Sequence, residues 1–165
     1  MLGGILKKED CAACRFCCSF RRTSLWEVPV FTKENIDAIK ENPALNDSAL
    51  NVIIKDGCTL AKYDLSQDYK TDDANEEVPC PYLGVNGCIL SDKEKPWDCK
   101  IWPLRVMNKD GEIVVALTPT CPAVNRLEFA TVKEFVDTHL KKDIIDYANN
   151  HPYLIKEYRS DYPII

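Results

Sequence analysis

Four thiols fall within eight residues in the run Cys11-Ala-Ala-Cys14-Arg-Phe-Cys17-Cys18. Thiols at i, i+3, i+6 and i+7 lie on roughly one side of a turn or short helix. Such a side is pre-arranged to close around a soft metal ion or an iron–sulfur cluster. A second sulfur region holds Cys80, Cys88 and Cys99, and a last member, Cys121, precedes Pro122. Cys58 stands apart and reads as a small thiol without a ligand role. The only histidines are His139 and His151, each placed where a structural role suffices. A Cys–His dyad therefore has little material, and no catalytic residue is assigned. The balance leans away from an independent enzyme.

The spacing leaves two kinds of centre open. Structural zinc modules pair two C-x2-C knuckles roughly 12 to 20 residues apart, and only the N-terminal run has such knuckles. A C-x2-C-x2-C run with a remote Cys-Pro is the ligand pattern of a bacterial four-iron cluster. Cys11, Cys14, Cys17 and Cys121 fit that scheme, with Cys80, also followed by proline, as another remote ligand. Neighbouring Cys17 and Cys18 chelate one ion only under strain. They serve two metals, or one of them stays outside the ligand set. The reading leans to an iron–sulfur cluster, with zinc as the alternative.

Nine cysteines in 165 residues suit either a secreted disulfide scaffold or an intracellular metal site. Met1 to Leu6 is apolar but short, and Lys7-Lys8-Glu9-Asp10 follows at once, unlike a signal peptide. No window reaches the ~18 to 20 apolar residues of a membrane span. The expectation is a cytoplasmic protein with reduced thiols and no membrane partner. The net charge of −5 argues against a nucleic-acid partner. Between Asp64 and Pro79 six carboxylates face Lys70 alone, so this segment carries the whole net charge. Residues 64–79 read as a mobile acidic loop, and that loop or the C-terminal helix is the surface for a protein partner that the sequence does not name.

The elements that must hold these thiols are short. One domain over residues 1–165 is expected, of α+β class, with short helices and β-hairpins organised around a cysteine-ligated metal centre. Leu25 to Phe31 reads as extended, and Thr32 as the N-cap of a helix that Pro43 stops. Leu45 to Ile54 is apolar without a clear period, and Asp56-Gly57 is a turn signal. Asn86-Gly87 predicts a tight hairpin that brings Cys80 near Cys88. Leu104 to Met107 and Ile113 to Leu117, joined through Asp110-Gly111, predict a second hairpin. Thr131-Val-Lys-Glu134 reads as a capping box that opens a C-terminal helix over 131–149. Arg15 reads equally as a donor to sulfur and as a solvated residue, and Arg21 and Arg22 as a solvated basic turn. Trp97 and Trp102 flank Cys99, either shielding a cluster from water or serving as ordinary core.

Written out, the cysteines are C-x2-C-x2-C-C, C-x7-C-x10-C and C-x21-C-P. Together with Cys80-Pro81-Tyr82-Leu83, Gly87-Cys88-Ile89, Lys95-Pro96-Trp97-Asp98-Cys99-Lys100 and Cys121-Pro122, they resemble the CxxCxxCC (YkgJ-like) family, described as zinc- or iron-chelating. The resemblance covers residues 11 to 18 and 80 to 122 and absorbs eight of the nine cysteines. It implies metal binding through Cys11, Cys14, Cys17, Cys18, Cys80, Cys88, Cys99 and Cys121. Lys95 and Lys100 stand where the family has arginine; they keep the charge but lose the bidentate fork. Flagellin lysine methylases are larger relatives with a similar cluster, which keeps an enzyme or an accessory subunit as a further reading.

Overall fold

The computed structural model describes residues 4–165. The chain is α+β, with short helices and four small, mainly antiparallel sheets among the described residues. It divides into two compact units: one from the N-terminal residues to Cys14 together with Ile101–Ile165, the other Arg15–Lys100. No helix among the described residues is long and apolar enough to cross a membrane.

The first unit opens with helix α1 (Lys8–Cys14), whose first turn carries Glu9 and Asp10. These carboxylates suit the positive end of the helix dipole.

The second unit begins at Arg15, which takes a left-handed φ of 54° and turns the chain out of α1. A 3-10 turn over Phe16–Cys18 leads to strand β1 (Ser19–Phe20). Where an extended Leu25–Phe31 is expected, a second 3-10 segment runs over Arg22–Glu27, and only β2 (Phe31–Thr32) is strand. Ser24 explains the turn: its hydroxyl accepts from the Arg21 amide at 3.1 Å, a local bond that competes with extension.

Helix α2 (Lys33–Glu41) starts at Thr32 as its sequence predicts. The Asn35 carbonyl accepts from the Thr32 amide (3.1 Å) and hydroxyl (3.2 Å). The apolar stretch before Asp56 is strand β3 (Leu50–Lys55), paired in register with β4 (Cys58–Tyr63) from Leu50↔Tyr63 to Lys55↔Cys58. Asp56 (φ 51°) and Gly57 (φ 77°) make the two-residue turn between them, the geometry that matches strand twist.

Next come β5 (Val78–Pro79), β6 (Leu83–Gly84), β7 (Gly87–Cys88) and helix α3 (Trp97–Ile101), at which the unit ends. Its core gathers Phe20, Phe31, Ile36, Ile39, Ala61, Tyr63, Val78, Tyr82 and Leu90, all buried. Each large side chain buried this way contributes about 1.5 to 3 kcal/mol.

The remainder of the first unit is a hairpin of β8 (Leu104–Lys109) and β9 (Glu112–Leu117), turned by Asp110 (φ 53°) and Gly111 (φ 93°). The expected single helix over 131–149 is two, α4 (Phe129–His139) and α5 (Lys141–Asn150), parted where Leu140 reaches φ −128°. Thr131 lies inside the first turn, its amide bonded to the Glu128 carbonyl at 3.0 Å, and Glu128 is the N-cap. Val132, Val136, Ile144 and Ala148 are the buried positions, and α5 packs on β8 and β9. Strand β10 (Lys156–Glu157) then joins β8 in parallel.

Both histidines make contacts with the helical turn before them. His139 stacks on Phe135 and His151 on Tyr147, each with its Nδ1 against the carbonyl four residues back.

Candidate metal centre

Five of the nine cysteines lie in the second unit's Cys17–Cys99 span besides Cys58, so their positions can be followed element by element. Antiparallel pairing of β1 with β5 sets Ser19 against Pro79 and Phe20 against Val78. The ladder carries on one step: the Cys80 amide donates to the Cys18 carbonyl at 2.7 Å. Two cysteines 62 positions apart in sequence thus stand on facing backbone. Pairing of Leu83 with Cys88 across the β6–β7 hairpin supplies the third thiol. Gly87, at φ 98°, takes the left-handed residue beyond the Val85-Asn86 turn, and the Arg15 guanidinium donates to the Val85 carbonyl.

Cys99 comes from α3. That helix is held by Asp98, buried in its first turn, whose carboxylate accepts from the Val30 amide at 3.1 Å. The turn before it is fixed from α2: Asn35 Nδ2 donates to the carbonyls of Lys93 (2.9 Å) and Lys95 (3.3 Å). Buried Glu94 accepts from the Ser91 amide at 2.6 Å and from Asn42 Nδ2 at 2.8 Å. This brings the Lys95 ammonium to where its charge acts on Cys18 and Cys88.

Cys80 is the hub. A negative charge on its sulfur is felt at Tyr63 and Tyr82, and its own ionisation is opposed by charge on Cys18 and Cys88. Burial pushes the Cys80 thiol up to about 11, while its contacts with the Tyr63 hydroxyl and the Tyr82 amide pull the other way. Burial also raises Cys88, offset in part by the Leu90 amide. Cys18 goes down to about 7: a hydrogen bond from Cys17 outweighs its burial, and Lys95 adds to the fall. In each case a donor stabilises sulfur in its charged form. Cys80 and Cys88 both pack against the aromatic core, which accounts for the desolvation.

Two of those influences come from the same position: the amide two residues after Cys80 and the amide two residues after Cys88 each favour the charged form of the sulfur. Thiol sulfurs are the donor type that soft metal ions take. Among the described residues no three Cys, His, Asp or Glu side chains are drawn in to coordination geometry.

In the first unit, Cys11 and Cys14 are exposed on α1, one turn apart, and Cys121 is buried after β9. Cys58 is exposed at the start of β4, opposite Lys55. Trp102 is stacked under the Arg105 guanidinium at 4.4 Å, and Arg105 is itself buried.

The acidic loop is more structured than its composition predicts. Glu76 accepts from the amides of Lys70 (2.7 Å) and Thr71 (2.8 Å) and from the Thr71 hydroxyl (2.9 Å). These bonds hold its carboxyl down at about 2. Arg22 lies over the Tyr69 ring at 4.3 Å and donates to the Asp73 carbonyl at 2.7 Å; Arg21 pairs with Glu77. The two arginines expected to be solvated therefore clamp the loop onto β1. Leu65 anchors it in the core. A cleft of about 620 Å³ opens beside the loop, lined by Asp64, Asp68, Lys70 and Glu76 among others.

Sequence reasoning passed over Tyr63, Tyr82 and the charge role of Lys95. Tyr63 had no signal beyond its place at the end of an apolar run; Lys95 showed only as a departure from a family pattern. Comparison with family models, curated proteins and solved structures finds no match for this chain.

Proposed function

We propose that this chain is a cytoplasmic, cysteine-ligated metal-binding protein carrying an iron–sulfur cluster in a redox or accessory role. The observation that supports it most is the backbone pairing that sets Cys80 against Cys18, with the Cys80 amide on the Cys18 carbonyl at 2.7 Å, and that brings in Cys88 through the β6–β7 hairpin. Cys18, Cys80, Cys88 and Cys99 would hold the centre in the second unit. Cys11, Cys14, Cys17 and Cys121 are the further ligands that the CxxCxxCC resemblance implies. A bound cluster supplies one-electron chemistry at a potential set by charge, hydrogen bonds to sulfur and solvent access. The chain's part is to orient the thiolates and to offset their charge with Lys95. The resemblance to flagellin lysine methylases adds the reading of an enzyme or an accessory subunit of a modification enzyme. The acidic loop is the surface offered to a basic protein partner.

Zinc is the second reading. Cys17, Cys18, Cys80, Cys88 and Cys99 all belong to one unit, enough thiols for the four that a closed tetrahedral zinc site takes. Metal and acid-labile sulfide analysis of protein purified without oxygen, with its visible spectrum, separates the two. Iron with sulfide and a brown colour is the expected result. Colourless protein with stoichiometric zinc selects the second reading. Protein that takes up neither, before or after reconstitution, overturns both. Cys80→Ser, Cys99→Ser and Cys14→Ser each lower the metal content, and Cys58→Ser leaves it unchanged.

A further inference from the structure

Strand β3 (Leu50–Lys55) is an outer strand of its sheet, whose order is β2-β4-β3. Its pairing with β4 closes on Lys55↔Cys58 across the two-residue turn. The closing pair of such a hairpin is hydrogen-bonded, and bonded pairs recur at every second residue. Lys55, Ile53 and Asn51 therefore turn their amides and carbonyls to β4. Those of Val52 and Ile54 point away from it, and among the described residues no backbone group meets them.

The side chains of this edge are as open as its backbone. Val52 is 47% exposed, Ile53 39% and Ile54 79%. Successive residues face opposite sides of a sheet, so apolar surface lies bare on both sides. Edge strands are ordinarily blunted by proline, a bulge or charged side chains. Asn51 to Ile54 holds no proline or charge, its register with β4 is unbroken, and Lys55 stands only at the turn.

We infer that β3 pairs with β3 of a second copy of this chain, antiparallel about a twofold axis at Ile53, joining two three-stranded sheets into one. The strand is its own complement in that register. With Ile53 opposite Ile53, Val52 meets Ile54 and Ile54 meets Val52, so the exposed apolar side chains cover one another. The groups that close the new ladder are those of Val52 and Ile54, the ones that β4 leaves open. Asn51 falls opposite Lys55, and no like charges meet. An axis at Ile54 instead sets Ile53 against Lys55, and an axis at Val52 sets Ile53 against Asn51. Six residues a side fall well short of the roughly 20 to 30 of a standard interface, so the pair is weak and forms as concentration rises. The inference does not depend on the metal reading.

The test is sedimentation velocity on the full chain, under reductant and over a wide range of concentrations, with hydrogen exchange measured at both ends of that range. The mass is expected to rise from one chain toward two, and exchange at the Val52 and Ile54 amides to slow as it does. Ile54→Lys sets an ammonium against Val52 on both sides of the axis and is expected to weaken association about tenfold. Ile53→Lys and Ile53→Glu each put like charges together on the axis and are expected to stay single; mixed in equal amounts, they are expected to pair. Both positions are exposed, and circular dichroism compares the fold of each variant with the parent. If the Ile53 variants do not fold, Ile54→Lys decides. A parent chain that stays single at every concentration overturns the inference. So does a dimer in which the Val52 and Ile54 amides exchange as fast as in the single chain, an Ile54→Lys chain that associates like the parent, or a folded Ile53→Lys and Ile53→Glu mixture that does not pair. Metal content read on the same samples is expected to be equal in the parent and Ile54→Lys, so failure of the pairing leaves the metal reading untouched.

Discussion

Single side chains do more positioning here than their positions in sequence suggest. Asn35 has one face on the Thr32 cap and the other on the carbonyls of Lys93 and Lys95. Asn35→Ala therefore removes a helix cap and leaves two carbonyls unmet, at a cost of about 2 to 3 kcal/mol. Chemical denaturation checks this; a loss under 0.5 kcal/mol, roughly the scale of a surface change, contradicts it. Glu76 is the equivalent anchor of the acidic loop. Its carboxyl is lowered from an ordinary 4.5 to about 2 in the folded protein. The unfolded chain thus binds the proton first as pH falls, so the stabilisation is full above about 4.5 and is lost on the way down to about 2. Amide exchange at Lys70 and Thr71 is expected to accelerate across that window. Glu76→Gln is expected to show the faster exchange already at neutral pH.

At the scale of elements, local chemistry and tertiary context decide different things. The two Asp-Gly turns are locally decided. Gly111 sits at φ 93° with open space where a Cβ would go. Gly111→Ala meets no clash, and its cost is the left-handed backbone alone, roughly 1 to 2 kcal/mol. A thermal melt showing no loss of stability contradicts that account. Asn108 Oδ1 accepts the Gly111 amide at 2.8 Å and is a second local determinant of the same turn. The break between α4 and α5 is a different matter. No proline or glycine marks it in the sequence. Lys141, at the start of α5, bonds both to Asp137 (2.7 Å) and to the Ile165 carbonyl (2.8 Å), so the docked C-terminal tail is part of what sets the bend. β1 and β5 are two residues each, too short to show a period, and their pairing depends on the core that Phe20 and Val78 share.

For the whole molecule, the proposed centre makes stability depend on metal. A ligand that binds only the folded state adds about 2.7 kcal/mol when free at a hundred times its dissociation constant. Thermal melts of metal-free protein with rising zinc or cobalt are expected to climb accordingly. Cys80→Ser is expected to start lower and to gain little. Equal gains in both chains would remove Cys80 from the ligand set. The two units each carry thiols. A metal-dependent rise confined to residues 15–100 in hydrogen exchange would assign the centre to that unit.

What the residues alone determine are the features set by neighbours in sequence. They are the α+β class, the Thr32 cap, the turns at Asp56-Gly57 and Asp110-Gly111, and the hairpin that carries Cys88. Each of these is a choice of backbone dihedrals or a bond spanning a few residues, and side-chain type fixes it directly. The tertiary structure decides what depends on contacts across long separations. It sets Cys18 opposite Cys80, brings Lys95 to the thiols, clamps the acidic loop with Arg21 and Arg22, and places the Tyr63 hydroxyl where it accepts from the Cys80 thiol. Such contacts form only when burying a shared core offsets the entropy of closing the chain between them, and no local pattern records which partners that core will bring together.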